Sequence, residues 1–267
     1  MAKQWTDTEG IEFFGRHLVA LFVTFQYEGE DKQRFSAFSG TLIQIQNTVF
    51  LLTAGHVLRN LEAARANAKV EITSAALADI FGMQRVSDIP IPFDFKNADL
   101  LYVDIEEEGL DFGVIPLREY YVGLLAKNGV IALAEQNWIH QSNVNFDAYV
   151  MLGLPEEFSS DEIDESGNCM VSPTMFRVHR LDPPPPGTQL TTHPRFVAKL
   201  DDENPIKSVV GMSGGPIFGF SLVEPVRYWV VALQSSWNPK TRIVYGCQLP
   251  IFASILTKLL KGEAAES

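Results

Sequence analysis

From Leu18 onward the chain runs as short apolar stretches, cut at close intervals by glycine, proline or clustered polar residues. No stretch keeps a helical period for long, so this rhythm predicts many short strands. Phe38 to Ile45 and Thr48 to Thr53, separated only by Gln46 and Asn47, predict a tight antiparallel hairpin. Further strands are expected at Val70 to Thr73, Leu100 to Ile105, Phe112 to Pro116, Ala148 to Leu154 and Met170 to Leu181. Phe196 to Leu200, Pro216 to Phe220, Tyr228 to Gln234 and Ile243 to Leu249 complete the set. Such spacing belongs to an all-β sandwich or barrel. The sequence shows no internal repeat and no heptad run.

Helical signals are few. Val57 to Ala68 is rich in Leu, Ala, Glu and Arg, and Pro250 heads an apolar-striped segment, Ile251 to Lys261, as a first-turn proline. Lys258 and Lys261 suit the negative end of that helix. Ile11 to Phe25 reads as a short helix running into a strand. The acidic Glu156 to Glu165 and the proline-rich Asp182 to Thr192 read as surface insertions, because proline cannot donate to a sheet ladder and clustered like charges prefer water. Residues 120 to 147 are the expected crossover between two halves.

Composition narrows the function classes. The chain has 267 residues, 46% of them apolar, which argues for a folded protein over a disordered one. Its longest apolar runs, such as Val49 to Ala54 and Trp229 to Leu233, fall far short of the roughly 20 residues that cross a bilayer, so no membrane partner is expected. Met1 to Asp7 opens no signal-peptide pattern. Cys169 and Cys247 are read as reduced or buried thiols, which suits a reducing, cytoplasmic compartment. A surplus of acids, 33 against 21 Lys plus Arg, gives a net charge of −12 that repels phosphate backbones, so nucleic acid is excluded as a partner. His17, His140, His179 and His193 lie in no ligand-spaced pattern, so neither a metal nor another cofactor is expected.

Three segments carry chemistry. In Gly211-Met212-Ser213-Gly214-Gly215-Pro216, a serine flanked by glycines in a tight turn can present its Oγ to a cleft while small neighbours let N–H groups converge on an oxyanion. The same composition also suits an ordinary surface turn. Thr53-Ala54-Gly55-His56 ends an apolar strand and opens a helix, a place from which an imidazole can act as a general base. Asp111-Phe112-Gly113-Val114-Ile115 puts a carboxylate at the mouth of a short strand. A serine nucleophile needs a base, and the base needs a carboxylate to hold its tautomer.

Taken together and in this order, the three segments resemble those of the chymotrypsin-like (trypsin-fold) serine endopeptidases, particularly their bacterial and intracellular branch. Ser39-Gly40-Thr41-Leu42-Ile43 and Gly153-Leu154-Pro155 extend the resemblance. It implies two antiparallel six-stranded β-barrels, approximately residues 15–118 and 119–250, with the active-site cleft between them. A helix follows the histidine and a terminal helix spans 251–261. The resemblance implies Ser213 as nucleophile, His56 as base and then acid, and Asp111 as orienting carboxylate, with Asp99 and Asp104 as rivals. It implies an oxyanion hole from the N–H groups of Gly211 and Ser213. It also implies a substrate-binding strand at Val231, Ala232, Leu233, Gln234, Ser235 and Ser236. Met212 departs from the pattern: secreted digestive members carry there an aspartate that pairs with a newly cut amino terminus. Lys207 and Trp237 fall near the implied specificity pocket, although a solvated lysine and a packed indole explain them better.

The expected function is a serine endopeptidase that hydrolyses a protein or peptide substrate through an acyl-enzyme, on a specific intracellular target. The alternative is a latent trypsin-fold protein that acts as a binding module or awaits an activating protein partner.

Overall fold

The computed structural model describes residues 7–138, 145–159, 170–223, 225 and 227–260. Thirteen strands and four α-helices organise them: α1 Asp7–Phe14, β1 Leu18–Tyr27, β2 Gln33–Ile45, β3 Thr48–Thr53, α2 Gly55–Ala66, β4 Val70–Ala78, β5 Ile91–Pro92, β6 Leu101–Ile105 and β7 Leu110–Pro116 form the first half. After α3 Glu119–Lys127 come β8 Ala148–Gly153, β9 Thr174–Arg180, β10 Arg195–Leu200, β11 Pro216–Ser221, β12 Arg227–Asn238, β13 Ile243–Gln248 and α4 Leu249–Leu260.

The expected hairpin forms as β2–β3, with Ile45 opposite Thr48 and a two-residue turn in which Gln46 takes φ 52°. The second half closes as a six-stranded barrel in the order β10-β13-β12-β11-β8-β9. The first half differs in detail from the expected six strands. It is a seven-stranded antiparallel sheet, β5-β4-β1-β2-β3-β7-β6, with β5 and β6 at its edges. The additional strand, β5, is two residues long and ends in proline, so no sequence periodicity could mark it.

Apolar runs without alternation have a physical reason here. Along β1, Leu18, Ala20 and Phe22 enter a core that spans both halves, while Val19, Leu21 and Val23 enter a core inside the first half. Both faces of the strand are therefore buried, and a continuous run is what such a strand requires. Phe50 and Leu52 against Leu51 on β3 repeat the division. A third core fills the closed barrel around Met151, Phe176, Ile217 and Val244.

Residues 119–130, which the resemblance puts at the start of the second barrel and the sequence reads as part of the crossover, lie against the first half. Leu125 and Val130 join its core, and Leu133 exchanges backbone bonds with Leu42 and Gln44 of β2. The terminal helix starts at Leu249, slightly before the expected Ile251, and keeps Pro250 in its first turn. Among the described residues of Asp182 to Thr192 there is no strand. Cys169, His140 and Ser160 to Glu165 lie outside the described residues. No helix among the described residues is long and apolar enough to cross a membrane.

Candidate active site

The first half supplies two of the three candidate groups. β3 ends at Thr53, and α2 begins at Gly55 with no side-chain cap of its own at Ala54. The first N–H groups of a helix lack partners within it. Here Asp111, at the start of β7, answers one of them: the His56 N–H donates to Asp111 Oδ1 at 2.9 Å. The same carboxylate receives the His56 ring at Oδ2, 2.8 Å from Nδ1. Asp111 thus caps the helix and holds the imidazole on it. The geometry depends on Gly55, because a Cβ there would strike the carbonyls of Val103 and Phe112 and push α2 off the β6–β7 pair.

A third bond reaches this carboxylate from the second barrel. Ser235 Oγ donates to Asp111 Oδ2 at 2.6 Å. Burial alone would raise the carboxyl of Asp111, but its bonds to His56 and Ser235 and the nearby imidazolium charge outweigh that and hold it below the ordinary value. For His56, burial pulls downward, yet the bond and charge of Asp111, assisted by Asp104, leave its pKa raised above 6.5. An Nδ1–H that donates to the carboxylate leaves Nε2 as the unprotonated acceptor nitrogen.

The turn that carries Ser213 arrives from the second half. Gly211 and Gly214 take φ of 89° and 86°, the left-handed region that glycine tolerates, and they fold the turn back on itself. Gly214 donates to the Gln234 carbonyl at 2.8 Å, and Gln234 donates to Gly215 at 2.9 Å, which fixes the turn to β12. Ser39 of β2 braces it from the other side: its Oγ donates to Gly211 O at 3.1 Å and accepts from Leu154 N at 2.9 Å. In the sequence Ser39 is marked only by its place in the Ser39–Ile43 segment. Its signal is a fully buried hydroxyl inside an apolar strand, which demands partners.

Ser213 Oγ donates to the Ser235 carbonyl at 3.3 Å. Ser235 therefore meets both candidates, Asp111 through its hydroxyl and Ser213 through its carbonyl. Among the described residues no hydrogen bond joins Ser213 to His56, and neither the Gly211 nor the Ser213 N–H is engaged by a protein acceptor. Val210, one residue earlier, turns its carbonyl to Glu156 N at 2.9 Å, which leaves the Gly211 N–H on the opposite edge of the same peptide plane.

The remaining expected residues divide by position. Of the three aspartates, Asp111 is the one bonded to His56; Asp99 is exposed, and Asp104 pairs with Arg59. Val231, Ala232, Leu233 and Gln234 are all buried, the first two in the core of the closed barrel and Leu233 in the core shared by both halves. Only Ser235 and Ser236 line the cavity of about 470 Å³ that opens beside His56. The narrowing has a simple cause: β11 begins at Pro216, so among the described residues β12 beyond Gln234 keeps β13 as its single strand partner. Lys207 is exposed, and Trp237 packs against the barrel core. Met212 is fully buried in that core, which accounts for an apolar residue at its position. Cys247 is buried behind Asp111, where burial above all pushes its thiol up to about 12, so it is no nucleophile at neutral pH. Among the described residues no cluster of three or more His, Cys, Asp or Glu could hold a metal ion.

No protein-family model matches the chain, and no curated protein matches it. Among solved structures it is similar to catalytically active tobacco etch virus protease complexed with product, at 13% identity over 97% of this chain and 83% of that one, with a TM-score of 0.46. It is similar to the protease Anisep from Arthrobacter nicotinovorans, at 14% identity over 87% and 90% of the two chains, TM-score 0.46. A thermostable serine protease, AL20, from an extremophilic microorganism matches at 12% identity over 86% and 90%, TM-score 0.47. Values this low assign no residue role. The strand order of the chain itself, an antiparallel sheet beside a closed six-stranded barrel with a terminal helix, is chymotrypsin-like in plan.

Proposed function

We propose that the protein is a serine endopeptidase in which Ser213 is the nucleophile, His56 the general base and acid, and Asp111 the orienting carboxylate. The observation that carries this reading is the position of Ser235, which bonds the Asp111 carboxylate on one side and the Ser213 hydroxyl on the other. In the proposed reaction Ser213 Oγ attacks the peptide carbonyl as its proton passes to His56 Nε2. The oxyanion is held by the N–H groups of Gly211 and Ser213. His56 then protonates the leaving amine, and water, activated by the same imidazole, releases the acyl group. Asp111 stays ionised throughout. The edge of β12 at Ser235 and Ser236 accepts the substrate backbone as an added strand, and the target is a protein or peptide in a reducing, intracellular compartment.

Cleavage profiling on a peptide library tests this. The wild-type protein is expected to cut a defined subset of peptides, and Ser213→Ala to lose at least about 10³-fold in rate. Equal cutting by both proteins, or none by folded wild type, stands against a free-standing enzyme.

The Ser213 hydroxyl turned to Ser235 O instead of His56 favours a second reading, a latent form of the same enzyme. Catalytic bonds often lengthen in unliganded sites and tighten with substrate. In a latent enzyme, peptide cleavage is near background alone and rises when a protein partner docks.

A further inference from the structure

One ion pair close to the site is used by none of the steps above. Arg59 lies one turn beyond His56 on α2, and its guanidinium meets Asp104 Oδ2 at 2.5 Å. Asp104 is the direct cross-strand partner of Asp111 in the β6–β7 ladder. Like charges placed opposite each other on neighbouring strands repel, and burial aggravates the repulsion. The carboxyl of Asp104 is accordingly pushed up, first by burial and then by the charge of Asp111, while Arg59 and His56 pull it back. Arg59, Asp104, His56 and Asp111 all border the cavity of about 470 Å³.

We propose that Arg59 and Asp104 are positioning residues, an electrostatic counterweight to the His56–Asp111 pair whose balance sets the pH range in which His56 can take a proton from Ser213. The proposal rests on the reading of His56 as the base. Asp104 adds negative potential at the imidazole and Arg59 adds positive potential, so the two act in opposite senses. The other charged or titratable groups around the cavity come from separate elements: Glu106 and Glu107 from the turn before β7, Arg195 from β10, and Cys247 from β13. Arg195 is held by the Glu106 carbonyl at 2.6 Å, and Cys247 donates to Gly109 O at 3.3 Å. Neither bond is made to Arg59 or Asp104, so the counterweight can be altered without touching them.

The two partners make opposite predictions, which a merely structural role does not. Arg59→Gln leaves Asp104 uncompensated, so His56 becomes a free base only at higher pH. Asp104→Asn leaves the guanidinium unopposed, so His56 becomes a free base at lower pH. Arg59→Lys keeps the charge and the wild-type behaviour, and the double variant Arg59→Gln/Asp104→Asn returns towards wild type. Titration of the His56 ring by NMR in the full chain, assigned with His56→Gln, reads these shifts whether or not the protein is active. On the acid limb, at about pH 6, fluorophosphonate labelling is expected to slow about threefold in Arg59→Gln and to quicken about threefold in Asp104→Asn. Ring titrations that move together, or that stay still in both single variants, overturn the counterweight. Opposed ring shifts with unchanged labelling rates overturn its role in proton transfer. A wild-type protein that labels at no pH stands against a free-standing serine hydrolase instead, and the ring titrations still decide the electrostatic reading.

Discussion

Three bonds on one carboxylate decide the chemistry at the residue scale. Asp111 receives the His56 backbone, the His56 ring and the Ser235 hydroxyl, so its ionised form is favoured although the side chain is mostly buried. Asp111→Asn keeps the shape but removes the charge and permits the wrong tautomer, and kcat is expected to fall by about 10⁴-fold. The pH profile carries a second sign. His56 must be neutral to accept a proton, and its pKa is raised, so kcat/KM of the wild type should fall on acidification through a pH above 6.5. In Asp111→Asn that limb should move to lower pH, because burial is then less opposed; a limb unmoved by the substitution contradicts the assignment. The segments that hold Ser213, His56 and Asp111, to which the proposed roles are assigned, were legible in sequence through their combination and order and not through any one alone. Ser39 and Arg59 were not, because their work depends on which distant strand or helix turn they meet.

At the scale of elements, the site depends on two close approaches across the halves of the molecule. Gly214 takes φ 86°, and a Cβ on it would stand 2.6 Å from Ser39 O and 2.7 Å from Ala54 N. Neither backbone can retreat without displacing β2 or the start of α2. Gly214→Ala is therefore expected to cost at least about 2 kcal/mol and to abolish labelling of Ser213, as read from urea denaturation and an activity-based probe. A fully stable, fully reactive variant contradicts the packing. Most elements could be placed from the sequence, since Gln46-Asn47 marks its hairpin and Pro250 its helix start. The exceptions share one cause, dependence on tertiary partners. β5 is too short to carry a period, and residues 119–133 look like a linker until Leu125 and Val130 join the core of the first half and the Leu133 backbone pairs with β2. Strand count in the first half was missed for the same reason.

At the scale of the whole molecule, the halves are joined by a shared core and by a buried histidine. Phe14, in the first helix, packs its ring tilted against Phe218 with centroids 4.9 Å apart and meets Tyr228 edge-on at 5.0 Å. His17 follows it, with Nδ1 3.0 Å from Ile131 O and Nε2 2.9 Å from the Tyr228 hydroxyl. Burial drops the His17 pKa to about 4; the bond to Ile131 opposes this, and the charge of Arg16 adds to it. The folded protein thus holds His17 neutral while the unfolded chain protonates near 6.5, so stability is lost as pH falls from 6.5 towards 4. The loss attributable to this group is about 3 kcal/mol at pH 4. Urea midpoints measured between pH 7 and pH 4 should fall less steeply in His17→Gln than in wild type, and parallel slopes would count against the linkage. What the joined halves are for is decided most directly at Ser213. A fluorophosphonate incubated with the full chain at neutral pH, followed by peptide mass mapping, should modify Ser213 alone in the wild type and nothing in Ser213→Ala or His56→Ala. Modification at another residue, or undiminished modification in Ser213→Ala, would contradict the account.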